Sequence, residues 1–283
     1  MAVASDITLT FNEAVRLTNN SALDDSNVDA LITLKENNSS GADIAFNATI
    51  NGGKTVITIN PDSNLSSTQV VYVAIGATVE DAANNAINAA NVSFTTADVS
   101  APTMTITSAE VSDGASSNDS TLAMTFTSSA ATSNFVVGDI SVSGGALSSF
   151  NATSTTVYTA TFTPSGDGAK TIDVAGGAFT DSSSNNNSAA TQFNWTYDAT
   201  SPTLSSSTPA DDAPGVAVDA NIVLTFSKAV DVQSGNIVIK KSSDDSTVET
   251  IAVTGSKVTG TGTTSITINP ATTLTLGWGY YLN

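Results

Sequence analysis

Ile7-Thr-Leu-Thr-Phe11-Asn-Glu-Ala-Val15 returns as Ile222-Val-Leu-Thr-Phe226-Ser-Lys-Ala-Val230. In both copies large apolar residues fall at every second position up to the phenylalanine, the period of a strand with one buried face. A second pair follows in the same order, Val56-Ile-Thr-Ile-Asn-Pro61 and Ser265-Ile-Thr-Ile-Asn-Pro270. Leu65 and Tyr72 then fall in step with Leu274 and Tyr281. The chain therefore carries one β-rich unit twice.

What separates the copies is marked by a repeated joint. Asp98-Val-Ser-Ala-Pro-Thr103 recurs as Asp198-Ala-Thr-Ser-Pro-Thr203, 100 residues on. Proline fixes its own φ and drives the preceding residue into an extended conformation, so each joint reads as a stiff connector. About 100 residues is what one antiparallel sandwich needs. The expected organisation is all-β: three tandem Ig-like sandwiches over residues 1–98, 99–198 and 199–283, the middle one of a second type.

The first segment shows further alternating runs at Leu31–Leu34, Ile44–Ile50, Thr55–Ile59, Val70–Ile75 and Val92–Phe94. Asn51-Gly52 between two of them is its strongest hairpin signal. Runs at Met104–Ile106, Leu122–Phe126, Ile140–Val142, Val157–Phe162, Lys170–Val174 and Phe193–Tyr197 build the middle segment. No helix of useful length is expected. Aligning the copies pairs Asn283 with Ala74 and Met1 with Val216. The outer two domains are thus expected to be incomplete, the first lacking its first strand and the third its last. Either the missing strands lie in continuing sequence, or a neighbouring subunit donates them.

Of 283 residues 40% are hydrophobic, enough for a core in each domain, but only 6% are aromatic. Cores made mainly of Val, Ile, Leu and Ala are expected. With 26 acids against 8 bases, the net charge is −18. Such a chain repels nucleic acid and anionic headgroups, which need clustered Lys and Arg. It contains no run long enough to span a membrane, so no membrane insertion is expected of this segment.

Histidine and cysteine are both absent. That removes Ser-His-Asp and Cys-His catalysis and the imidazole and thiolate zinc sites. No Gly-rich phosphate loop is present. Glycoside hydrolysis by a carboxylate pair needs a cleft, for which 10 Phe, 5 Tyr and 2 Trp offer little lining. Catalysis is not expected.

Calcium fits the composition better, because it takes six to eight oxygen ligands from carboxylates, Asn side chains and carbonyls. The candidate ligands are Asp81 (with Glu80, Asn84 and Asn85), Asp98, Asp113, Asp119 (with Asn118), Asp181 (with Asn185) and Asp198. Asp211-Asp212 is a further acidic pair. Several lie beside a joint, where one ion could clamp two domains. The competing reading is that Asp and Asn simply make turns there. Phe193, Trp195 and Tyr197, on one face of a strand, are either core or a carbohydrate platform. Sequons at Asn47, Asn91, Asn151 and Asn194 follow from a chain rich in Asn, Ser and Thr. An isopeptide staple in the middle segment would have to use Lys170, its sole lysine.

The middle segment runs from Ala101-Pro-Thr through Val111-Ser-Asp-Gly114, Phe135-Val-Val-Gly-Asp139 and Tyr158-Thr-Ala-Thr-Phe-Thr-Pro164 to Phe193-Asn-Trp-Thr-Tyr-Asp198. It resembles the bacterial immunoglobulin-like repeats of large surface proteins and adhesins. The outer segments, through Leu-Thr-Phe-x-x-Ala-Val and Ile-Thr-Ile-Asn-Pro, resemble the Ig-like domain of S-layer and related proteins. Such repeats carry Asp-x-Ala-Gly-Asn before the last strand, here Asp81-Ala-Ala-Asn-Asn85 and Asp181-Ser-Ser-Ser-Asn185. Asn84 suits the left-handed position better than Ser184, so the second loop is expected to differ in shape. The resemblance implies an extracellular spacer or adhesive stalk, sometimes stiffened by calcium. Its partners would be flanking domains or neighbouring copies of the same protein, or a surface glycan or protein ligand. The alternatives are a filament subunit joined by strand complementation and a carbohydrate-binding accessory region of a secreted enzyme.

Overall fold

The computed structural model describes all 283 residues. The chain is built of β-strands, with single 3-10 turns at Asp29–Leu31 and Val137–Asp139. No helix is long and apolar enough to cross a membrane. There are two compact units, Met1–Asp198 and Ala199–Asn283.

Met1–Asp198 holds two hydrophobic cores. In the first, Val56–Pro61 lies between Ile7–Thr10 and Phe46–Ile50, and Val70–Ile75 lies between Ile32–Glu36 and Ala90–Thr95. A short ribbon pairs Arg16–Leu17 with Val79–Glu80. Alternation sets the register: Ile7 faces Ile59, Leu9 faces Ile57, and Leu34 faces Val73. Ile57, Ile59 and Val71 are fully buried. The hairpin marked by Asn51-Gly52 forms, but neither residue takes the positive φ of a two-residue turn. The loop is longer because the Asn51 carboxamide oxygen accepts the Thr55 and Val56 N–H groups at 2.8 and 3.1 Å, and positive φ falls on Lys54.

The second core lies between two four-stranded sheets. One runs Gly145–Ala152, Val157–Pro164, Leu122–Ser128, Met104–Ser108; the other runs Ser116–Ser117, Phe193–Tyr197, Gly168–Val174, Ile140–Ser143. This core is not the aliphatic one expected. Phe126, Phe135, Tyr158, Phe162, Phe179, Phe193 and Trp195 are all buried, with Phe135 5.0 Å from Tyr158 and 5.3 Å from Phe179 between ring centroids. Aromatic scarcity across the chain hides their concentration in one domain. Trp195, 2% exposed, meets Phe162 edge-on at 4.8 Å. Phe193 and Trp195 are therefore core residues, not a surface platform, while Tyr197 carries the Lys170 ammonium 6.0 Å from its ring centroid. The edge strand beginning at Gly145 approaches so closely that a Cβ there would stand 2.3 Å from the Phe162 ring.

In Ala199–Asn283, Ile222–Val230 pairs with Leu204–Thr208 on one side and Thr263–Ile268 on the other. Asn236–Lys241 lies between Thr247–Ala252 and Tyr280–Leu282. Ile222 faces Ile268 and Leu224 faces Ile266, the register of Ile7 with Ile59 and Leu9 with Ile57. The Leu274 N–H donates to Val218 O at 2.8 Å as the Leu65 N–H donates to Val3 O at 2.9 Å. The sequence repeat is thus a repeat of structure down to single hydrogen bonds. Its second copy is pinned by Glu249, 9% exposed, which accepts the Lys257 ammonium and the N–H groups of Ala271 and Thr272. These contacts hold its carboxyl down at about 2 against the cost of burial.

Candidate functional site

Both Pro-Thr joints enter their following sheet by one device. Thr103 N–H donates to Ser129 Oγ at 2.9 Å, and Ser129 N–H returns a bond to Thr103 O at 3.0 Å. Thr203 and Ser227 repeat the exchange at 2.9 and 2.8 Å. Proline has no N–H and holds the residue before it extended, so the following threonine makes the first ladder contact.

The acidic loops before the last strands are alike. The Asp81 carboxylate accepts the N–H groups of Ala83 and Asn85 at 2.7 and 2.8 Å, plus the Asn85 amide at 2.8 Å. The Asp181 carboxylate accepts Ser183 and Asn185 N–H at 2.8 and 2.9 Å, and the Asn185 amide at 3.0 Å. Asn84 and Ser184 both take the left-handed conformation, with φ of 66° and 70°. The expected difference in loop shape does not arise: three bonds to the aspartate over-determine the backbone and impose on serine what asparagine accepts readily. In each loop the asparagine amide is the main reason the aspartate titrates below its ordinary value.

The second loop does more. The Asn185 amide also reaches Asp98 O at 3.2 Å, and Ser183 Oγ donates to Asp98 Oδ2 at 3.3 Å. From the other side, Ser67 Oγ donates to Asp98 Oδ1 at 2.9 Å and accepts Val99 N–H at 3.0 Å. Ser100 N–H completes the set at 3.0 Å and is the first cause of the lowered Asp98 pKa, ahead of Ser67. Thr68 N–H donates to Ala97 O at 3.3 Å, and Ser188 N–H to Pro102 O at 2.9 Å. The connector is held from both sides, by the loop at Ser67–Gln69 and by the loop at Asp181–Asn185.

Of the six candidate metal ligands, Asp98 and Asp181 come together, joined by the Asn185 amide, which donates to Asp98 O at 3.2 Å and to Asp181 Oδ2 at 3.0 Å. The remaining four serve separate loops. Asp81 caps its own turn, and its neighbour Glu80 pairs with Arg16 at 3.2 Å instead of facing a cation site. Asp113 accepts Asn194 N–H at 2.8 Å. Asp119 accepts Ser117 Oγ at 2.6 Å, while Asp198 N–H donates to Ser117 O at 3.0 Å. No three acidic side chains converge on one point. Around Asp98 and Asp181 the oxygen donors are the two carboxylates and the hydroxyls of Ser67 and Ser183, which fits part of a calcium shell. Sequence reading missed Ser67 and Ser183; a serine in a polar turn carries no mark of its partner across a joint.

Residues 1–96 and 198–283 match one sequence family and residues 98–197 a second, each described as a bacterial Ig-like domain. No curated protein matches the chain. Among solved structures, similarity extends to native E. coli alpha-2-macroglobulin, at 11% identity and a TM-score of 0.26, covering 100% of this chain and 18% of that one. Domains 1–6 of the surface layer protein SbsC align at 11% identity and 0.27, covering 99% and 52%. InvD of Yersinia pseudotuberculosis aligns at 14% and 0.27, covering 100% and 82%. The chain thus spans less than a fifth of the first of these and about half of the second. Matched over almost its whole length by two such families, the chain belongs to the bacterial immunoglobulin-like domains.

Proposed function

We propose that this chain is a non-catalytic structural segment, a spacer or stalk, of a larger bacterial protein displayed outside the cell. The Asp98 joint is the observation that carries this reading. A flexible tether would leave its connector solvated. Here the connector spends its side-chain and backbone groups on loops that belong to both flanking cores. The lack of histidine and cysteine and the charge of −18 favour a soluble, non-sticky extracellular role over catalysis or nucleic-acid binding. The test is the double substitution Ser67→Ala with Asp98→Ala. Proteolysis at residues 99–101 should accelerate and the scattering profile of residues 1–198 should broaden, while both cores melt as before. Unchanged cleavage and scattering would remove the joint as a stiffening device.

A second reading concerns calcium at the same joint, supported by the way Ser183 Oγ and the Asn185 amide tie the Asp181 loop to Asp98. Calcium would then slow proteolysis at residues 99–101, and Asp181→Asn would abolish that protection. If chelator leaves cleavage and melting unchanged, the joint is held by hydrogen bonds alone.

A further inference from the structure

We infer that the free edge of Gly145–Ala152 is an interface at which the middle domain pairs with the same strand of a second copy of this chain. The contact lays two folded sheets side by side and exchanges no strand. Three strands hold equivalent edge positions in three sheets: Phe46–Ile50 beside Val56–Pro61, Gly145–Ala152 beside Val157–Pro164, and Val258–Thr259 beside Thr263–Ile268. Open edges template pairing with other chains unless something blunts them. The first is stopped by carboxylates: Ala48 N–H donates to Asp29 Oδ1 at 2.6 Å and Ile50 N–H to Asp25 Oδ1 at 2.8 Å. Leu23 and Val28, 1% and 0% exposed, anchor the segment that carries them. The third is only 2 residues long, and its Val258 N–H turns back to Gly255 O at 3.1 Å. The middle edge runs for 8 residues with neither guard.

Its backbone groups face outward on both sides of a bulge. Gly144 O accepts Ser165 N–H at 2.9 Å, so alternation turns the N–H and C=O of Gly145 and Leu147 away from Val157–Pro164. Thr153 N–H donates to Val157 O at 2.9 Å, which turns Ala152 outward in the same way. The bulge lies between Ser148 and Asn151, with a φ of 53° at Ser149, and bends the strand without covering these groups. Charge decides the partner. No charged residue lies between Asp139 and Asp167, and none in Met104–Ser108 or Leu122–Ser128, so the whole sheet is neutral in a chain of net charge −18. Copies of so acidic a chain repel one another wherever their carboxylates meet, whereas a cationic partner is drawn to those carboxylates. A neutral edge therefore favours another acidic chain, and a second copy brings the same edge. About a twofold axis the two strands run antiparallel and present self-complementary rows of donors and acceptors. The small side chains of Gly145, Ala146, Ser148 and Ser149 leave the approach open.

Sedimentation of the full chain should show a monomer–dimer equilibrium whose dimer fraction grows with concentration up to about 1 mM, as a contact this small allows. Amide exchange at Gly145, Leu147 and Ala152 should slow over the same range, while that at Ala48 and Ile50, already bonded to Asp29 and Asp25, stays constant. Ala146→Glu sets an exposed carboxylate beside the edge and should weaken the dimer at least about tenfold. Thr107→Glu adds the same charge to the strand at the opposite edge of the sheet and should dimerise as the parent does. A chain that stays monomeric throughout, a dimer indifferent to Ala146→Glu, or one that both substitutions weaken alike would overturn the inference.

Discussion

Glu249→Gln should destabilise the unit Ala199–Asn283 at neutral pH and leave it nearly unchanged in strong acid. The carboxylate is 9% exposed and accepts two backbone N–H groups and an ammonium, so its pKa falls from 4.5 to about 2. A depressed carboxyl pKa contributes stability that is complete above the unfolded value and lost as pH falls through the folded one. The window here runs from just above 4.5 down to about 2. A shift of that size would correspond to about 3 kcal/mol if fully shielded, but the Lys257 side chain is 42% exposed, and solvent screening leaves about 1–2 kcal/mol. Urea unfolding, followed by hydrogen exchange at the Ile239, Ile251 and Ile266 amides, should show native stability dropping by about 1–2 kcal/mol across the window. The glutamine variant should start lower and stay flat. It should fall short of the full loss, since its carbonyl oxygen can still accept the Thr272 N–H. Equal losses at pH 7 and pH 2 would refute the electrostatic account and assign the effect to packing.

Two further outcomes follow from the middle domain. Phe135→Ala removes the ring that touches Phe126, Phe150, Tyr158 and Phe179, and calorimetry should register a loss of about 3–5 kcal/mol from that domain. Ser184→Gly relieves a left-handed backbone that serine tolerates poorly and should raise the same domain's stability by about 1 kcal/mol, with Asn84→Gly in the first domain gaining less. A loss on either glycine substitution would show that side-chain contacts outweigh the backbone.

The strands that alternate were legible because burial on one face leaves its period in the residues. Ile7, Leu9, Ile57 and Ile59 pair in the structure as their repetition at Ile222, Leu224, Ile266 and Ile268 implied. Strands without alternation were not legible. Gly145–Ala152 reads as Gly, Ser and Asn around a few apolar residues, and joins its sheet because Gly145 fits against Phe162. Nor could averaged composition show that the aromatic residues gather in one core. The joint was visible through its proline and aspartate, but not its partners: a hydroxyl can serve any acceptor, and only the fold brings Ser67 within reach of Asp98. The acids flagged as metal ligands were flagged for being acids; in the fold Asp81 and Asp119 accept bonds within their own turns and Asp113 accepts the Asn194 N–H.

The Asp181–Asn185 loop grips the connector through one hydroxyl and one amide, whereas its twin has Ala83 where Ser183 stands. The fold of the loop is indifferent to that residue, since only its backbone N–H is used internally. Bending rigidity at a joint is therefore set by a position that the domain itself leaves free to vary. In a protein made of many such units, mechanical compliance could be written joint by joint, a supple link here and a rigid one there, by single substitutions that no domain would register as damage.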